Sequence, residues 1–189
     1  YYGSIEETVR YSAFQVVSVI TSTGFFTADY ELWPVSVHFL FILLMFAGGC
    51  TGSTAGGIKS LRVLALARHA RAGLASCLHP QGLFQIKIRG KTASSNAVAS
   101  VTAFFILYLV VFIAGTLFMA ALGVDFVTAV SSAAASIGNT GPGFGTVGPT
   151  DNFFHIPAAG KWVLSFLMLL GRLELYTMIL LFARGTWKK

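Results

Sequence analysis

One uncharged stretch constrains the fold of this chain more than any other feature. No charged residue occurs between Lys91 and Asp125, and residues 97–122 are almost entirely apolar. A helix of that length crosses a hydrocarbon core of ~30 Å at a rise of ~1.5 Å per residue. Because the whole chain is also 55% hydrophobic and only 11% charged, the sequence predicts an integral membrane protein. The length of the stretch argues against the alternative, a helix buried in a large soluble core.

The basic residues predict the orientation in the membrane. Ten of the 13 Lys and Arg residues lie in two blocks that contain no acid and that flank apolar segments. The positive-inside rule makes both blocks cytoplasmic. A nucleic-acid partner is disfavoured, because these charges do not form a soluble basic face. The residues of the two blocks are Lys59, Arg62, Arg68, Arg71, Lys87, Arg89 and Lys91, and then Arg184, Lys188 and Lys189.

A short pattern occurs twice along the chain. The segments "AFQVVSVITSTGFF" at 13–26 and "AVSSAAASIGNTGPGFG" at 129–145 each place a short apolar helix before a Thr-Gly step. The two steps are 117 residues apart, and each is followed by an acidic polar patch (Asp29 and Glu31, then Asp151), a proline and a new apolar run. The repeated unit is therefore a short helix, a broken loop and a spanning helix.

The short helices decide between classes of membrane protein. About 12 to 15 apolar residues cannot cross a bilayer, whereas re-entrant segments have that length. The last carbonyls of such a helix and the negative end of its dipole favour a cation, and glycine lets the next carbonyls turn toward one axis. The sequence predicts an all-α integral membrane fold that resembles potassium channels. Its repeated unit is a helix, a re-entrant pore helix with a filter loop, and a second helix.

A second break follows residues 35–47, an apolar run too short to finish a crossing. The next segment, "GGCTGSTAGGIKS" at 48–60, is a poor helix former. A nucleotide-binding P-loop is disfavoured, because Ile58 separates the second glycine from Lys59 and no strand precedes the segment. Two interpretations stay open: a glycine patch that packs helices and a flexible intramembrane loop under the filter.

Residues 162–182 are predicted to form the last spanning helix, although they contain two charges. A charge near the centre of a membrane helix costs roughly 2.5 to 3.5 kcal/mol, so Arg172 and Glu174 should face protein or water. They are two residues apart, about 200° around the helix, and cannot pair with each other. A purely structural charge pair with another residue is the alternative for each of them.

The sequence contains no catalytic or metal-ligating pattern. No nucleophile and base, no HExxH and no acid dyad occurs at helical spacing, so the chain is not predicted to be an enzyme. Cys50 and Cys77 imply no disulfide framework. The four histidines show no zinc-ligand spacing with the cysteines. They are His38, His69, His79 and His155.

A resemblance to a known family runs along nearly the whole chain. It rests on five motifs in the same order: "FQVVSVITSTGFFTADYELWP", "GGCTGSTAGGIKSLR", "HPQGLFQIKI", "GNTGPGFG" and "GRLELYTMILLF". Together they resemble the C-terminal half of the Trk-type potassium uptake proteins, the TrkH branch of the Trk/Ktr/HKT family. The resemblance implies four repeats around one pore, a homodimer, and a cytosolic nucleotide-binding regulatory subunit similar to TrkA.

The same resemblance implies how the chain is divided. Residues 1–75 would be the third pore repeat without its first helix, with a pore helix, a filter and a broken second helix. Residues 76–93 would be a cytoplasmic linker, and residues 94–189 the whole fourth repeat. The other two repeats would come from the same parent chain or from a partner chain.

The resemblance also implies roles for individual residues. The potassium-binding filter would consist of Ser22, Thr23, Gly24, Phe25, Asn139, Thr140, Gly141 and Pro142. Four of these would bind the metal ion, potassium: Ser22, Thr23, Asn139 and Thr140. The gate would consist of Gly48, Gly49, Gly52, Ser53, Thr54, Gly56, Gly57 and Arg172. Neither filter segment reproduces the Gly-Tyr-Gly of a symmetric potassium filter.

We therefore expect a pore-forming part of a potassium uptake protein, multi-pass in the bacterial inner membrane and in contact with lipid. Potassium is the transported ion, and no organic cofactor is expected. The alternative is a non-conducting membrane subunit that packs helices and docks a cytosolic regulator. The two hypotheses differ in whether both Thr-Gly loops converge on one axis.

Overall fold

The computed structural model describes residues 3–79, 87–88, 91–92, 94–173 and 175–182. In this part of the chain the fold is helical except for one short pairing of strands. The helices are α1 (Ile5–Ile20), α2 (Val35–Ala47), α3 (Ser60–Leu78), α4 (Ser95–Ala121), α5 (Phe126–Gly138), α6 (Ala158–Arg172) and α7 (Leu175–Phe182). Short 3₁₀ turns occur at Tyr30–Leu32 and Gly145–Val147. The strands β1 (Lys87–Ile88) and β2 (Lys91–Thr92) pair antiparallel, a small departure from the all-α prediction.

The helices begin where the sequence supplies caps. The side chains of Ser4, Ser94 and Asp125 accept hydrogen bonds from backbone N–H groups two or three residues later and so start α1, α4 and α5. Pro34 and Pro157 precede α2 and α6 at matching places in the two halves. Proline has no N–H group and a fixed φ, so it is well tolerated where a helix starts.

Helix α5 lies at the centre of the fold, packed against α2, α4 and α6. Its small side chains allow this close packing, because Ala129, Ala133 and Ala134 are completely buried. One apolar cluster joins α5 to α4 and α6, and a second joins it to α1 and α2. The C-terminus of α5 is therefore held in place from several sides, which positions the loop that follows.

Helix α4 is the only described helix that is both long enough and apolar enough to cross a membrane. Its apolar part covers Asn96–Ala121, with a mean hydropathy of 2.6, and most of this part is not buried inside the described protein. Helices α2 and α5 are apolar but have only 13 residues each. The predicted apolar run at 35–47 coincides with the observed bounds of α2.

The prediction of one spanning helix over residues 162–182 is wrong. The structure forms two helices there, because α6 ends at Arg172 and α7 begins at Leu175. The interruption follows Gly171, which lies so close to the carbonyl of Ile137 that an added Cβ would overlap that oxygen. At the same point the Arg172 side chain leaves the helix for a backbone carbonyl of another loop. Contacts outside the helix thus compete with its continuation.

Some residues with sequence-based predictions lie outside the described part of the chain. The predicted environment of Glu174 is one such case. Others are basic residues of the two predicted cytoplasmic blocks, namely Arg89, Arg184, Lys188 and Lys189.

Candidate functional site

The two Thr-Gly turns have the same backbone conformation. We call residues 22–25 the first Thr-Gly turn and residues 139–142 the second. Ser22 and Asn139 are both left-handed, with φ of 55° and 53°. The N–H groups of Thr23 and Thr140 bond to the carbonyl five residues earlier, both at 2.9 Å. Those of Ser22 and Asn139 bond to the carbonyl three residues earlier, both at 3.1 Å. This pair of bonds is the Schellman ending of a helix, formed twice.

The two turns also contact each other. The hydroxyl of Ser22 donates to the carbonyl of Gly138, at the end of α5, across 3.0 Å. Gly24 lies against the carbonyl oxygen of Thr140, and a Cβ added at Gly24 would overlap that oxygen. Gly24 has a φ of 78°, so both its conformation and its close approach to the second turn require glycine.

The two threonines of the turns lie in different surroundings. Thr23 is exposed, and its hydroxyl is 2.7 Å from that of Thr21. Thr140 is 3% exposed, and its hydroxyl has no hydrogen-bond partner among the described residues. Phe25 is 73% exposed, so its ring packs against little of the described chain. The oxygen donors near the turns are hydroxyls and backbone carbonyls, the ligand type that alkali cations prefer.

Behind the second turn lies an aromatic support that the sequence did not predict. Tyr30 is 1% exposed, and its hydroxyl donates to the carbonyl of Gly143 across 3.2 Å. The Tyr30 ring packs edge-on against Phe41 and Phe144, with centroids 5.3 and 5.2 Å away. The hydroxyl of Ser131 donates to the Phe144 carbonyl and accepts from the Phe144 N–H. Sequence reasoning missed Tyr30 because its partner is 113 positions away.

Acidic residues lie between each Thr-Gly turn and the helix that follows it, Asp29 and Glu31 before α2 and Asp151 before α6. Glu31, in the 3₁₀ turn before α2, has a pKa raised chiefly by burial. The hydrogen bond from the Gly145 N–H lowers that pKa, while the negative charges of Asp29 and Asp151 raise it further and His38 opposes them. Among the described residues, no three His, Cys, Asp or Glu side chains are grouped so that they could hold a metal ion.

The glycine-rich loop, residues 48–59, connects α2 to α3. Its two ends lie together, because Gly48 and Gly57, with φ of 64° and 80°, face each other closely. The Ile58 N–H also bonds to the carbonyl of Phe46 at 2.9 Å. The loop follows a helix and not a strand, so it lacks the context of a P-loop.

The loop packs against the C-terminal end of α5. Gly56 is buried against the carbonyl of Gly138, and a Cβ added there would overlap the oxygen. Gly52, at the other extreme, is exposed and has no atom within 4 Å of an added Cβ. The hydroxyl of Ser53 donates to the Cys50 carbonyl within the loop. One end of the loop is therefore packed below the turns, and its tip is open.

Arg172 joins α6 to this loop. Its guanidinium donates a hydrogen bond to the carbonyl of Thr54, so two parts of the predicted gate are in contact. Near the same place, the Asn139 side-chain amide donates to the Met168 carbonyl in α6 across 3.2 Å. The C-terminal part of α6 thus contacts both the loop and the second Thr-Gly turn.

The geometry brings most of the predicted residues into one region. The two turns, the end of α5, the loop and Arg172 are linked by direct contacts. Ion binding by the oxygens of these turns stays a prediction. Closure of an ion path by the glycine-rich loop stays a prediction as well.

Comparison with known proteins places this arrangement in a family. The family of TrkH cation transport proteins matches residues 2–188. The Trk system potassium uptake protein TrkH of Escherichia coli (strain K12) is 37% identical over 188 residues, covering 100% of this chain and 38% of that protein. The Trk system potassium uptake protein TrkI of Halomonas elongata is 37% identical over 177 residues, covering 93% of this chain and 36% of that protein.

A solved structure is similar as well. The crystal structure of the potassium transporter TrkH from Vibrio parahaemolyticus matches with a TM-score of 0.90 and 35% identity, covering 99% of this chain and 40% of that one. This chain therefore spans about two fifths of the length of these relatives. The resemblance drawn from the five motifs is confirmed. So is the prediction that the chain is not an enzyme, because the family is one of transport proteins. The chain belongs to the TrkH family of cation transport proteins.

Proposed function

We propose that this chain forms part of a potassium uptake pore, in which the two Thr-Gly turns are two strands of the ion filter. The observation that carries the proposal is the contact between the turns, with Gly24 packed against the Thr140 carbonyl. Two loops 117 residues apart have the same helix ending and meet at one place, which a pore built from repeats requires. A chain whose glycines only packed helices would not need the two endings to match.

In this proposal α1 and α5 are re-entrant pore helices. Each is shorter than a membrane span, with 16 and 13 residues, and each ends at a Thr-Gly turn. Their C-terminal carbonyls carry the negative end of the helix dipole, which favours a cation beyond them. Backbone that is not helical is tolerated at membrane depth where it lines water or is buried in protein. Potassium is supported as the ion because the relatives are named as potassium uptake and potassium transport proteins.

We further propose that the glycine-rich loop is the gate and that Arg172 holds it closed. The hydrogen bond from Arg172 to the Thr54 carbonyl supports this role, as does the packing of Gly56 beneath α5. A guanidinium always carries its charge, so it also raises the electrostatic barrier for a passing cation.

The remaining pore repeats are proposed as partners of α1. Its apolar side chains Ile5, Val9 and Val17 are 84%, 62% and 59% exposed, whereas most of the matching helix α5 is buried. An apolar surface of this kind is covered by lipid or by other helices in a membrane protein. We propose that the assembly is a homodimer in the bacterial inner membrane, regulated by a cytosolic nucleotide-binding subunit.

The proposal is tested by flux. The purified transporter that contains this chain is reconstituted into liposomes, and potassium influx is measured with and without excess sodium. We expect potassium influx, and we expect excess sodium to inhibit it only weakly. Correctly inserted protein without potassium influx would contradict the pore and support the non-conducting subunit.

The orientation has its own test, for which Cys77 at the end of α3 is exposed. In a Cys50→Ser background, an impermeant thiol reagent added outside intact cells should leave Cys77 unlabelled. Labelling of Cys77 before cell lysis would reverse the proposed orientation.

A further inference from the structure

The second Thr-Gly turn is held at both of its ends by hydroxyls from the other half of the chain. Ser22 donates to the carbonyl of Gly138, the residue before the turn, across 3.0 Å. Tyr30 donates to the carbonyl of Gly143, the residue after it, across 3.2 Å. We propose that Ser22 and Tyr30 are positioning residues that set ion selectivity by clamping the second Thr-Gly turn, an inference that rests on the proposed function.

The clamp limits which carbonyls can face an ion. The carbonyls of Gly138 and Gly143 are engaged by protein donors, which leaves the carbonyls of residues 139–142 between two fixed points. Selectivity for one cation depends on the spacing and number of the oxygens that replace its water. With either end released, this segment can adjust to a cation of different radius, and discrimination falls.

The Tyr30 side chain is held rigidly by its neighbours. The ring is completely enclosed between Phe41 and Phe144, so the hydroxyl cannot leave its position by a change of rotamer alone. Burial, assisted by the charges of Glu31 and Asp29, raises the pKa of the Tyr30 phenol, so it stays protonated and remains a donor. The phenol can therefore donate to the Gly143 carbonyl throughout the ordinary pH range.

Ser22 donates its hydrogen bond from a left-handed conformation. It has a φ of 55°, a left-handed region that residues other than glycine rarely adopt. Asn139, the matching residue of the second turn, has a φ of 53° and also donates from its side chain to a carbonyl of another element, that of Met168. The shared geometry assigns both side chains to tethering, which differs from their sequence-based assignment as potassium ligands.

The clamp is tested with two hydroxyl deletions in the assembled transporter. Tyr30→Phe removes the donor and keeps the ring, and Ser22→Gly removes the donor while suiting the left-handed backbone. Two controls match them. Tyr108→Phe deletes a buried hydroxyl that has no hydrogen-bond partner among the described residues. Ser100→Ala deletes a hydroxyl whose hydrogen bond, among the described residues, is to the Asn96 carbonyl within α4.

The measurements are the potassium-to-sodium flux ratio in liposomes and the melting temperature in detergent with each ion. We expect each clamp variant to lower the flux ratio by about threefold or more, the effect of one lost hydrogen bond of ordinary strength. The extra stabilisation by potassium over sodium should shrink in the same variants. Both quantities should stay at the parent value in the controls.

Three outcomes separate this inference from the proposed function. If the parent protein conducts selectively and both clamp variants keep its flux ratio, the clamp is overturned and the pore stands. The same holds if the variants melt earlier by equal amounts in potassium and sodium with an unchanged ratio, because the hydroxyls are then structural only. If the parent itself shows no potassium flux, the proposed function fails first.

Discussion

Arg172 donates a hydrogen bond to the backbone carbonyl of Thr54, 118 positions earlier in the chain. The contact joins the end of α6 to the exposed side of the glycine-rich loop. A charged donor holds a neutral carbonyl more firmly than a neutral donor does. This arginine and the packing of Gly56 therefore both hold the loop in its present arrangement.

The first prediction concerns Arg172→Ala. We expect potassium flux to rise by about tenfold, since a hydrogen bond to a charged group contributes ~1.5 kcal/mol or more to the closed arrangement. The flux ratio of potassium to sodium should not change, because the hydrogen bond that is lost is made to the glycine-rich loop and not to either Thr-Gly turn. Flux is measured in liposomes with and without the regulatory subunit. Arg10→Ala, which removes an exposed arginine paired with Glu6 in α1, is the control.

A further variant of the same residue, Arg172→Lys, separates the effect of charge from the effect of geometry. Lysine keeps the positive charge but lacks the planar guanidinium. Flux between the values of the parent and of Arg172→Ala is expected. If Arg172→Ala inserts normally and leaves potassium flux at the parent level, the gate proposal fails. The glycines of the loop then serve only to pack helices.

The second prediction separates two glycines of the loop. Gly56→Ala places a methyl group against the Gly138 carbonyl, so the loop must move away from α5, and we expect flux to rise. Gly52→Ala meets no atom within 4 Å and adds only the strain of a φ of 88°, so we expect a smaller change. Equal flux in the two variants would mean that packing beneath α5 does not hold the gate. Both are measured in the same liposome assay.

Much of this arrangement could be predicted from local sequence. The Thr-Gly steps can be recognised because glycine readily adopts a left-handed conformation that other residues avoid. The same property of glycine explains why α2 ends before Gly48. The break at Leu173 was not predicted, because hydropathy suggested a continuous helix while contacts of Gly171 and Arg172 decided the outcome.

Sequence patterns do not predict side-chain hydrogen bonds between residues that are far apart in the chain. A buried tyrosine such as Tyr30 looks like an ordinary core residue, and its acceptor at Gly143 is defined only by the fold. The same is true of Ser22, which the family resemblance assigned to ion binding and the structure joins to Gly138. Local rules find where a backbone turns, whereas long-range packing decides what each hydroxyl meets.

The third prediction compares the two filter glycines. Gly24→Ser introduces both a left-handed strain of ~1 to 2 kcal/mol and an overlap with the Thr140 carbonyl. Gly141→Ala introduces strain alone, at a φ of 104°, because nothing lies within 4 Å of its added Cβ. We expect both to lower the potassium-to-sodium flux ratio, with the larger fall, of about tenfold, for Gly24→Ser.

The control for these variants is Gly123→Ala. It has a φ of 82° and open space around the added Cβ, but it follows α4 outside both turns. Its flux ratio should equal that of the parent. A parent-like ratio in Gly24→Ser, with normal potassium influx, would remove the first Thr-Gly turn from the filter.

The fourth prediction concerns pH and Glu31. Its folded pKa lies above the ordinary value of 4.5, chiefly because the carboxyl is partly buried. A carboxyl of this kind contributes stability that is fully present below its unfolded pKa and that is lost as pH rises through its folded pKa. The melting temperature of the parent should therefore fall between about pH 4 and pH 7 by more than that of Glu31→Gln, whose amide oxygen can still accept from the Gly145 N–H. Melting is measured at constant potassium concentration, with Glu6→Gln as a control for an exposed acid. Parallel melting profiles for the parent and Glu31→Gln would show that burial of Glu31 does not shift its titration. The acids near the turns would then influence cations only as solvated charges.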